Sequence, residues 1–498
     1  MKQRFLLLAF FVLASLNAYC AYDFTVGNQG NYKITNDTVE PYTVAFTSVP
    51  WQGDWLPARG TIRIPSSVTY NDVTYIVTSI ANITAFMCDD VTGVIIPSTV
   101  IRIIDNVFNN ASNLASVVVE EGNPVYDSRD NCNAIIETAT NTLIAGCKKT
   151  TFPSTITRIR THAFRHNSIS SVVIPDNVTV IEEGAFDCCY GLSTVRTGNG
   201  ITEIAPGAFC SCTALRNLTI GNNVQTIGNG AFYGCTALSS LTIPNSVTTI
   251  EDRAFYGCVR LKDVVVPNSV TTIGAAAFAD AALCDNGIRT VTLGDNLTTI
   301  GGSAFAKDRH LETINIPVSV TKIGGAAFEG CEALEEIDIT EGVTTIEKAT
   351  FRGCIALTSV TLSRNLTAVK SNAFAGCTAL ASITCSAVTP PVCDESEGAV
   401  FTAEAYETAI LYVPAQSVGA YREADVWKNF RHIVSNGIET GIEQTVIQGL
   451  RIVDGTVVCT EPFAVYDLNG CDVTAQNGNL KGTFIVRTAT AAQKVLLR

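Results

Sequence analysis

Residues 238–258 read LSSLTIPNSVTTIEDRAFYGC, and the apolar positions of this stretch fall into three groups with different spacings. Leu238, Leu241 and Ile243 mark a short strand with alternating faces. Pro244-Asn245 ends that strand, because proline has no N–H to give to a ladder. Val247 and Ile250 then turn inward on a second extended or turn-like segment, and Ala254-Phe255 place a small and a large side chain in an interior. Gly257 permits the tight return, and Leu261 opens the next copy. So short a segment cannot bury its apolar side alone; it needs copies of itself stacked above and below.

The copies are present. A recurring pair, usually Ala-Phe, puts phenylalanine at Phe86, Phe108, Phe164, Phe186, Phe209, Phe232, Phe255, Phe278, Phe305, Phe328, Phe351 and Phe374, at intervals mostly of 22 or 23 residues. That period with an L-x-x-L-x-L strand is the mark of a leucine-rich repeat. The expected fold is a β-rich leucine-rich-repeat solenoid of about twelve 22–23 residue coils, with strands about 4.7–4.9 Å apart and a stack on the order of 55–60 Å long.

The units that read I-P-x-x-V-x-x-I followed by A-F-x-G-C-x-x-L, residues 243–261, 316–334 and 339–357, resemble the BspA-like repeats of bacterial surface antigens. The last carries Thr340 for Pro and Thr350 for Ala. The resemblance runs from about residue 62 to residue 380. It implies an exported protein of Gram-negative anaerobes that adheres to host matrix proteins or other bacteria.

Two irregularities interrupt the period. A 56-residue interval contains residues 123–150, where Ile135-Ile136 and Leu143-Ile144 flank the polar residues 138–142; a hairpin inserted into one coil fits this pattern, and a similar insert recurs in the BspA-like family. Four extra residues near 284–287 lengthen a single turn.

The ends read differently. Lys2 and Arg4 precede an apolar run over residues 5–16, with Ala18 and Cys20 at plausible positions for signal-peptidase cleavage, so residues 1–20 are read as a signal peptide. Lipidation of Cys20 is the competing reading, with bulky Tyr19 against it. Residues 21–60 form a β-rich N-terminal cap and 61–380 the solenoid; 381–436 form an α/β C-terminal cap, sealed by large aromatics that include Trp427. Residues 437–449 are a linker, and 450–498 a small all-β module. The module's V-Y-D-x-x-G at 465–470, G-T-F-I-V at 482–486 and basic-apolar end resemble a type IX secretion sorting domain, although Cys471 stands where that family has Arg. The resemblance implies outer-membrane transport.

Composition narrows the function. Of 498 residues 16% are charged, only 4 are His, and the net charge is −13, which gives neither a basic footprint for nucleic acid nor a His-rich metal centre. No run after residue 20 is long and apolar enough to span a bilayer. His162 and His166 have the H-x-x-x-H spacing but no adjoining Glu and no evident third ligand, and neither His310 nor His432 has a nucleophile at a recognisable spacing. No enzyme activity and no cofactor are expected.

Seven cysteines lie three residues after the repeat Phe: Cys189, Cys212, Cys235, Cys258, Cys331, Cys354 and Cys377. One register implies one structural role, a buried row of reduced thiols beside Phe186, Phe209, Phe232, Phe255, Phe328, Phe351 and Phe374, since parallel side-chain vectors oppose disulfide geometry. Cys132 with Cys147, and Cys385 with Cys393, are better pairing candidates. The outward strand positions, among them Ser240, Thr242, Thr313 and Asn315, form a Ser/Thr carpet on which Arg196 is the exception. An acidic coil carries Glu332, Glu335, Glu336, Asp338 and Glu341. Glu335, Glu336, Asp338, Thr313 and Asn315 are the candidate partner-binding residues, and the expected mode is weak repeated contact with an extracellular protein, strengthened by avidity. A polysaccharide scaffold, or a hydrolase assembled from distant coils, is the alternative.

Overall fold

The computed structural model describes residues 22–27, 30–48, 59–81, 90–105, 107–108, 111–280 and 287–436, with a discontinuous set of positions between 450 and 497. The signal-peptide and linker readings, Phe86, Cys20, Cys471 and most of the lengthened turn at 284–287 lie outside the described residues. Contacts divide the chain into two units, Met1–Leu334 with Ala349–Cys354, and Glu335–Lys348 with Ile355–Arg498.

In the first unit, strands Phe24–Val26, Gly30–Asn36, Thr43–Ser48, Ser67–Tyr70 and Val73–Ile80 make a mainly antiparallel sheet. Its core is aromatic: Tyr32 and Phe46 are fully buried, and their rings meet edge to face at 5.9 Å. Val73–Ile80 also pairs in parallel with Arg102–Ile103, so the sheet runs into the first coils without a break.

Each subsequent coil has up to two short strands on different sides. The first, here the face strand, occurs as Ser171–Val173, Thr194–Arg196 and Asn217–Thr219, in parallel register with Val172, Val195 and Leu218 side by side. The second, the edge strand, gives the longer ladder through Glu203–Ile204, Thr226–Ile227, Thr249–Ile250, Thr272–Ile273, Thr299–Ile300 and Lys322–Ile323. Its isoleucines are buried because alternate side chains of a strand take opposite faces. The coil that displays the pattern best in sequence departs from it: residues 239–243 form no strand, and Leu241 is only half-buried although Leu238 and Ile243 are buried. The face ladder therefore ends at Asn217–Thr219 and resumes at Asp263–Val265, while the edge ladder runs on.

The third side carries the Ala-Phe pair. From Phe164 to Phe351 each described ring stacks on the next with centroids 4.7 to 5.7 Å apart and planes within 10° of parallel. Backbone bonds run the same way: the Phe186 N–H donates to Ala208 O and the Phe209 N–H to Ala231 O, both at 2.8 Å. The thiols complete the pattern in reverse. Cys189 Sγ donates to Phe164 O at 3.0 Å, and Cys212, Cys235, Cys258, Cys331 and Cys354 reach the Phe carbonyl of the preceding coil at 3.2–3.3 Å. A thiol is thus a small apolar filler that still supplies a weak donor to a buried carbonyl. Burial pushes Cys258 up to about 12 and Cys212, Cys235 and Cys331 well above their ordinary value.

The corners beside each Phe are left-handed. Two residues before and two after it, φ is positive: Gly184 and Cys188, Gly207 and Ser211, Arg253 and Gly257. His162 and His166 hold this same pair of positions around Phe164, both with φ of 57°. Their spacing thus follows the corners, and their rings part: His162 lies against Gly184 and His166 meets Tyr190 edge-on at 5.8 Å.

The insertion is a hairpin, Ala134–Glu137 against Thr142–Gly146, and its return arm pairs in parallel with Arg158–Ile159, so it doubles as an edge strand. The two disulfide candidates are corrected. Cys132, Cys147, Cys385 and Cys393 are all free thiols. Cys147 Sγ donates to Asn133 O at 3.2 Å, Cys385 Sγ accepts from the Tyr421 hydroxyl at 3.1 Å, and Cys132 and Cys393 reach Ala134 O and Pro391 O at 3.8 and 3.9 Å, so all four sulfurs are engaged with other groups.

In the second unit the parallel sheet Glu336–Asp338, Ser359–Leu362, Ser382–Cys385, Ile410–Val413 and His432–Ser435 carries the face strands into a cap. Helix Ala403–Thr408 starts at Thr402, whose Oγ1 accepts from the Ala405 N–H at 3.1 Å. Phe401 stacks on Phe374 at 5.2 Å, and Trp427, fully buried, donates its indole N–H to Pro391 O at 2.8 Å. Residues 450–497 hold a hairpin, Arg451–Val453 with Thr456–Val458, and an antiparallel sheet of Phe463–Tyr466, Gly482–Thr488 and Ala492–Leu497, with Val457, Val465 and Val486 buried together.

Candidate interaction face

A solenoid side can bind only with side chains its own stacking does not use. The edge side is largely committed: Thr248, Thr271, Thr298 and Thr321 donate their hydroxyls to carbonyls of the preceding coil at 2.9 to 3.4 Å. Asn223 and Asn296 do the same with their carboxamides at 2.7 and 2.9 Å. The face strands send two outward side chains per coil away from the core, and parallel register lines them into two columns, parts of which are bridged between coils: Asn217 Nδ2 donates to Thr194 Oγ1 at 3.4 Å and the Thr290 hydroxyl to Asp263 Oδ1.

In the first unit, one column runs Ser171, Thr194, Asn217 and, after the gap, Asp263, Thr290, Thr313. The other runs Val173, Arg196, Thr219 and then Val265, Thr292. Thr290, Thr292 and Thr313 stand at outward positions as expected, but apolar side chains interrupt the Ser/Thr carpet. Val173 and Val265 are more than half exposed, and Val118 sits in the outward position of an earlier face strand, so Arg196 is joined by apolar side chains that strand alternation alone does not distinguish from inward ones. Ser240 and Thr242 are exposed but lie in the coil without a face strand. Thr313 is exposed on its strand; Asn315 is also exposed, yet its Oδ1 accepts from the Leu293 N–H at 3.2 Å, so it ties one coil to another.

The second unit has its own pair of columns. Glu336, Ser359, Ser382, Ile410 and His432 form one, and Asp338, Thr361, Thr384, Tyr412 and Val434 the other. Glu336 and Asp338 head them on a strand whose Ile337 points inward, and Glu335 precedes it, also exposed. Glu341 pairs with Arg364, while in the first unit Glu332 pairs with Arg309 at 3.3 Å. Those two carboxylates are partnered, which leaves Glu335, Glu336 and Asp338 as the acidic group on this strand segment. Among the described residues no set of three His, Cys, Asp or Glu side chains is arranged to hold a metal ion.

The repeat geometry has a counterpart in sequence families. The model described as BspA type leucine rich repeat region matches in six copies, over residues 78–132, 157–284 and 280–390, more than half of the chain. The chain belongs to the BspA type leucine-rich repeat family. Among solved structures, a leucine-rich repeat protein from Bacteroides ovatus is 26% identical over 73% of this chain and 94% of that one, with a TM-score of 0.50. A leucine rich cell surface protein from Faecalibacterium prausnitzii is also 26% identical, over 73% and 94%, with a TM-score of 0.43. The pneumococcal vaccine antigen PcpA is 18% identical over 83% and 98%, with a TM-score of 0.46. No curated protein matches the chain. Among the described residues of this BspA type protein, no helix is long and apolar enough to cross a membrane.

Proposed function

We propose that this BspA type protein is an exported cell-surface binding protein that holds an extracellular protein, from a host matrix or another bacterium, through the outward columns of its face strands. The observation that carries the reading is the row Val173, Arg196, Thr219 on paired strands: Arg196, of a residue type enriched among energetic anchors, stands beside an exposed valine on a rigid ladder. Repetition along the columns supports avidity, since weak contacts on successive coils act on one extended partner. Glu335, Glu336 and Asp338 add a negative segment suited to a basic patch on that partner. Export rests on the signal-peptide reading of residues 1–20, and outer-membrane passage on the sorting-domain resemblance of residues 450–498.

Polysaccharide capture is a second reading, favoured by a single observation. Tyr233 and Tyr256 stack at 4.9 Å on the Ala-Phe side, and Tyr233 is 38% exposed. The two readings separate when the full chain is tested against immobilised matrix proteins, whole bacteria and a glycan array. The proposal expects saturable protein capture that falls at least about tenfold in the pair Val173→Ser, Arg196→Ala. Glycan binding lost in Tyr233→Ala, with no protein capture, would replace it by the second reading.

A further inference from the structure

Two cysteines stand apart from the buried row. Cys188 and Cys210 are half-buried, on successive coils of the Ala-Phe side. The Cys188 N–H donates to the Cys210 carbonyl at 2.8 Å, which makes the two residues cross-coil neighbours with Cα atoms inside the roughly 4.4–6.8 Å span of a disulfide. The left-handed corner, φ of 57° at Cys188, sets the direction of its side chain, and the thiol donates to Asp187 Oδ1 at 3.2 Å. Cys210 follows its Phe as Asp187 follows Phe186, in the column where Tyr233 and Tyr256 lie face to face. Its thiol interacts with the same Asp187 carboxylate and lies 3.6 Å from Ser211 Oγ. Arg165 Nε lies 2.9 Å from Asp187 Oδ2, an ion pair without hydrogen-bond alignment. Both thiols therefore meet the Asp187 carboxylate, with Cys188 also meeting the Tyr190 side chain, whereas the thiols of Cys189, Cys212, Cys235, Cys258, Cys331 and Cys354 are turned to a Phe carbonyl of the preceding coil.

We propose that Cys188 and Cys210 are a redox pair that closes a disulfide across two coils by exchange with a low-molecular-weight disulfide. One cysteine, as thiolate, attacks that disulfide, giving a mixed disulfide and releasing one small thiolate, which takes up a proton from water. The second cysteine loses its proton to water and attacks the first sulfur, expelling the second small thiol. Two protein thiols are oxidised and one small disulfide is reduced to two thiols. Burial raises both protein thiols above their ordinary value, so exchange quickens as the pH rises from 7 toward 9. The bond fastens one coil to the next at an edge that the face and edge ladders do not cover.

The test incubates the native full chain with excess glutathione disulfide, blocks remaining thiols by alkylation and maps the peptides by mass spectrometry. The expected product joins the Cys188 and Cys210 peptides and is lighter by two hydrogens than the reduced pair. In Cys188→Ser, checked for folding by circular dichroism, Cys210 is expected to stop at the glutathione adduct. Wild-type protein that stops with separate adducts on both cysteines would overturn the proposal. So would a bond from either to Cys189 or Cys212, the absence of reaction at both while the unfolded chain reacts, or a stoichiometric zinc ion shielding both thiols.

Discussion

The Ala-Phe side and the strand face are built from the same coils, yet they tolerate change differently. On the Ala-Phe side the Phe rings from Phe186 to Phe328 lie between the rings of their neighbours, and the row thiols from Cys189 to Cys354 reach the carbonyl of the coil before, so a change at one position is felt in two others. On the strand face the outward residues are equally in register, but water covers them and their backbone bonds do not depend on side chain. Val173, Arg196 and Thr219 can therefore follow one another there. Repetition records how the coils stack. Departure from repetition is tolerated on a side where stacking does not demand it.

That contrast can be broken by substitution. Phe255→Ala removes a fully buried ring held between Phe232 and Phe278 and is expected to cost about 3–5 kcal/mol in urea unfolding. A loss below about 1 kcal/mol would mean that the row does not carry the core. Alkali gives the next effect. An unfolded thiol ionises near its ordinary 9.0, whereas buried Cys258 holds its proton to about 12. Above pH 9 the unfolded chain therefore binds fewer protons than the folded one, and stability falls as pH rises from 9 toward 12, by about 1.4 kcal/mol per pH unit for such a thiol. Urea midpoints between pH 8 and 10.5 check the slope, which Cys258→Ala is expected to reduce. The thiol donors act more gently: Cys235→Ala leaves Phe209 O without its side-chain partner and is expected to cost about 1 kcal/mol, with Cys235→Ser losing less because it keeps a donor. Thr219→Ala and Val173→Ser, on the face, are expected to shift stability by no more than about 0.5 kcal/mol while Val173→Ser weakens capture. Converting Glu335, Glu336 and Asp338 together to Ser should likewise leave the urea midpoint in place and lower binding to a basic partner; unchanged binding would remove the acidic segment from the interface.

The period and the inward residues were legible because burial restricts composition: a ring at every turn and a small thiol three residues on are the same answer to the same space. The corners were less so. Gly257 announces a left-handed backbone, but Arg253, Ala276 and Lys307 hold the same conformation without any side-chain signature, because stacking imposes it. His162 and His166, whose spacing already lacked a third ligand in the sequence, owe that spacing to the same corners. Residues 239–243 show the converse, since alternation that reads as a strand forms none there. The face was legible as a side but not in content: an exposed Val173 and a buried Val172 look alike in a sequence, and only the register tells them apart.

The most direct measurement is thiol labelling of the native chain with a small alkylating reagent at pH 8, read cysteine by cysteine against the chain unfolded in guanidinium. The account predicts that Cys189, Cys212, Cys235, Cys258, Cys331, Cys354 and Cys377 stay unlabelled when native and react fully when unfolded. Labelling of those seven at the rate of the half-exposed Cys188 and Cys210 would contradict it.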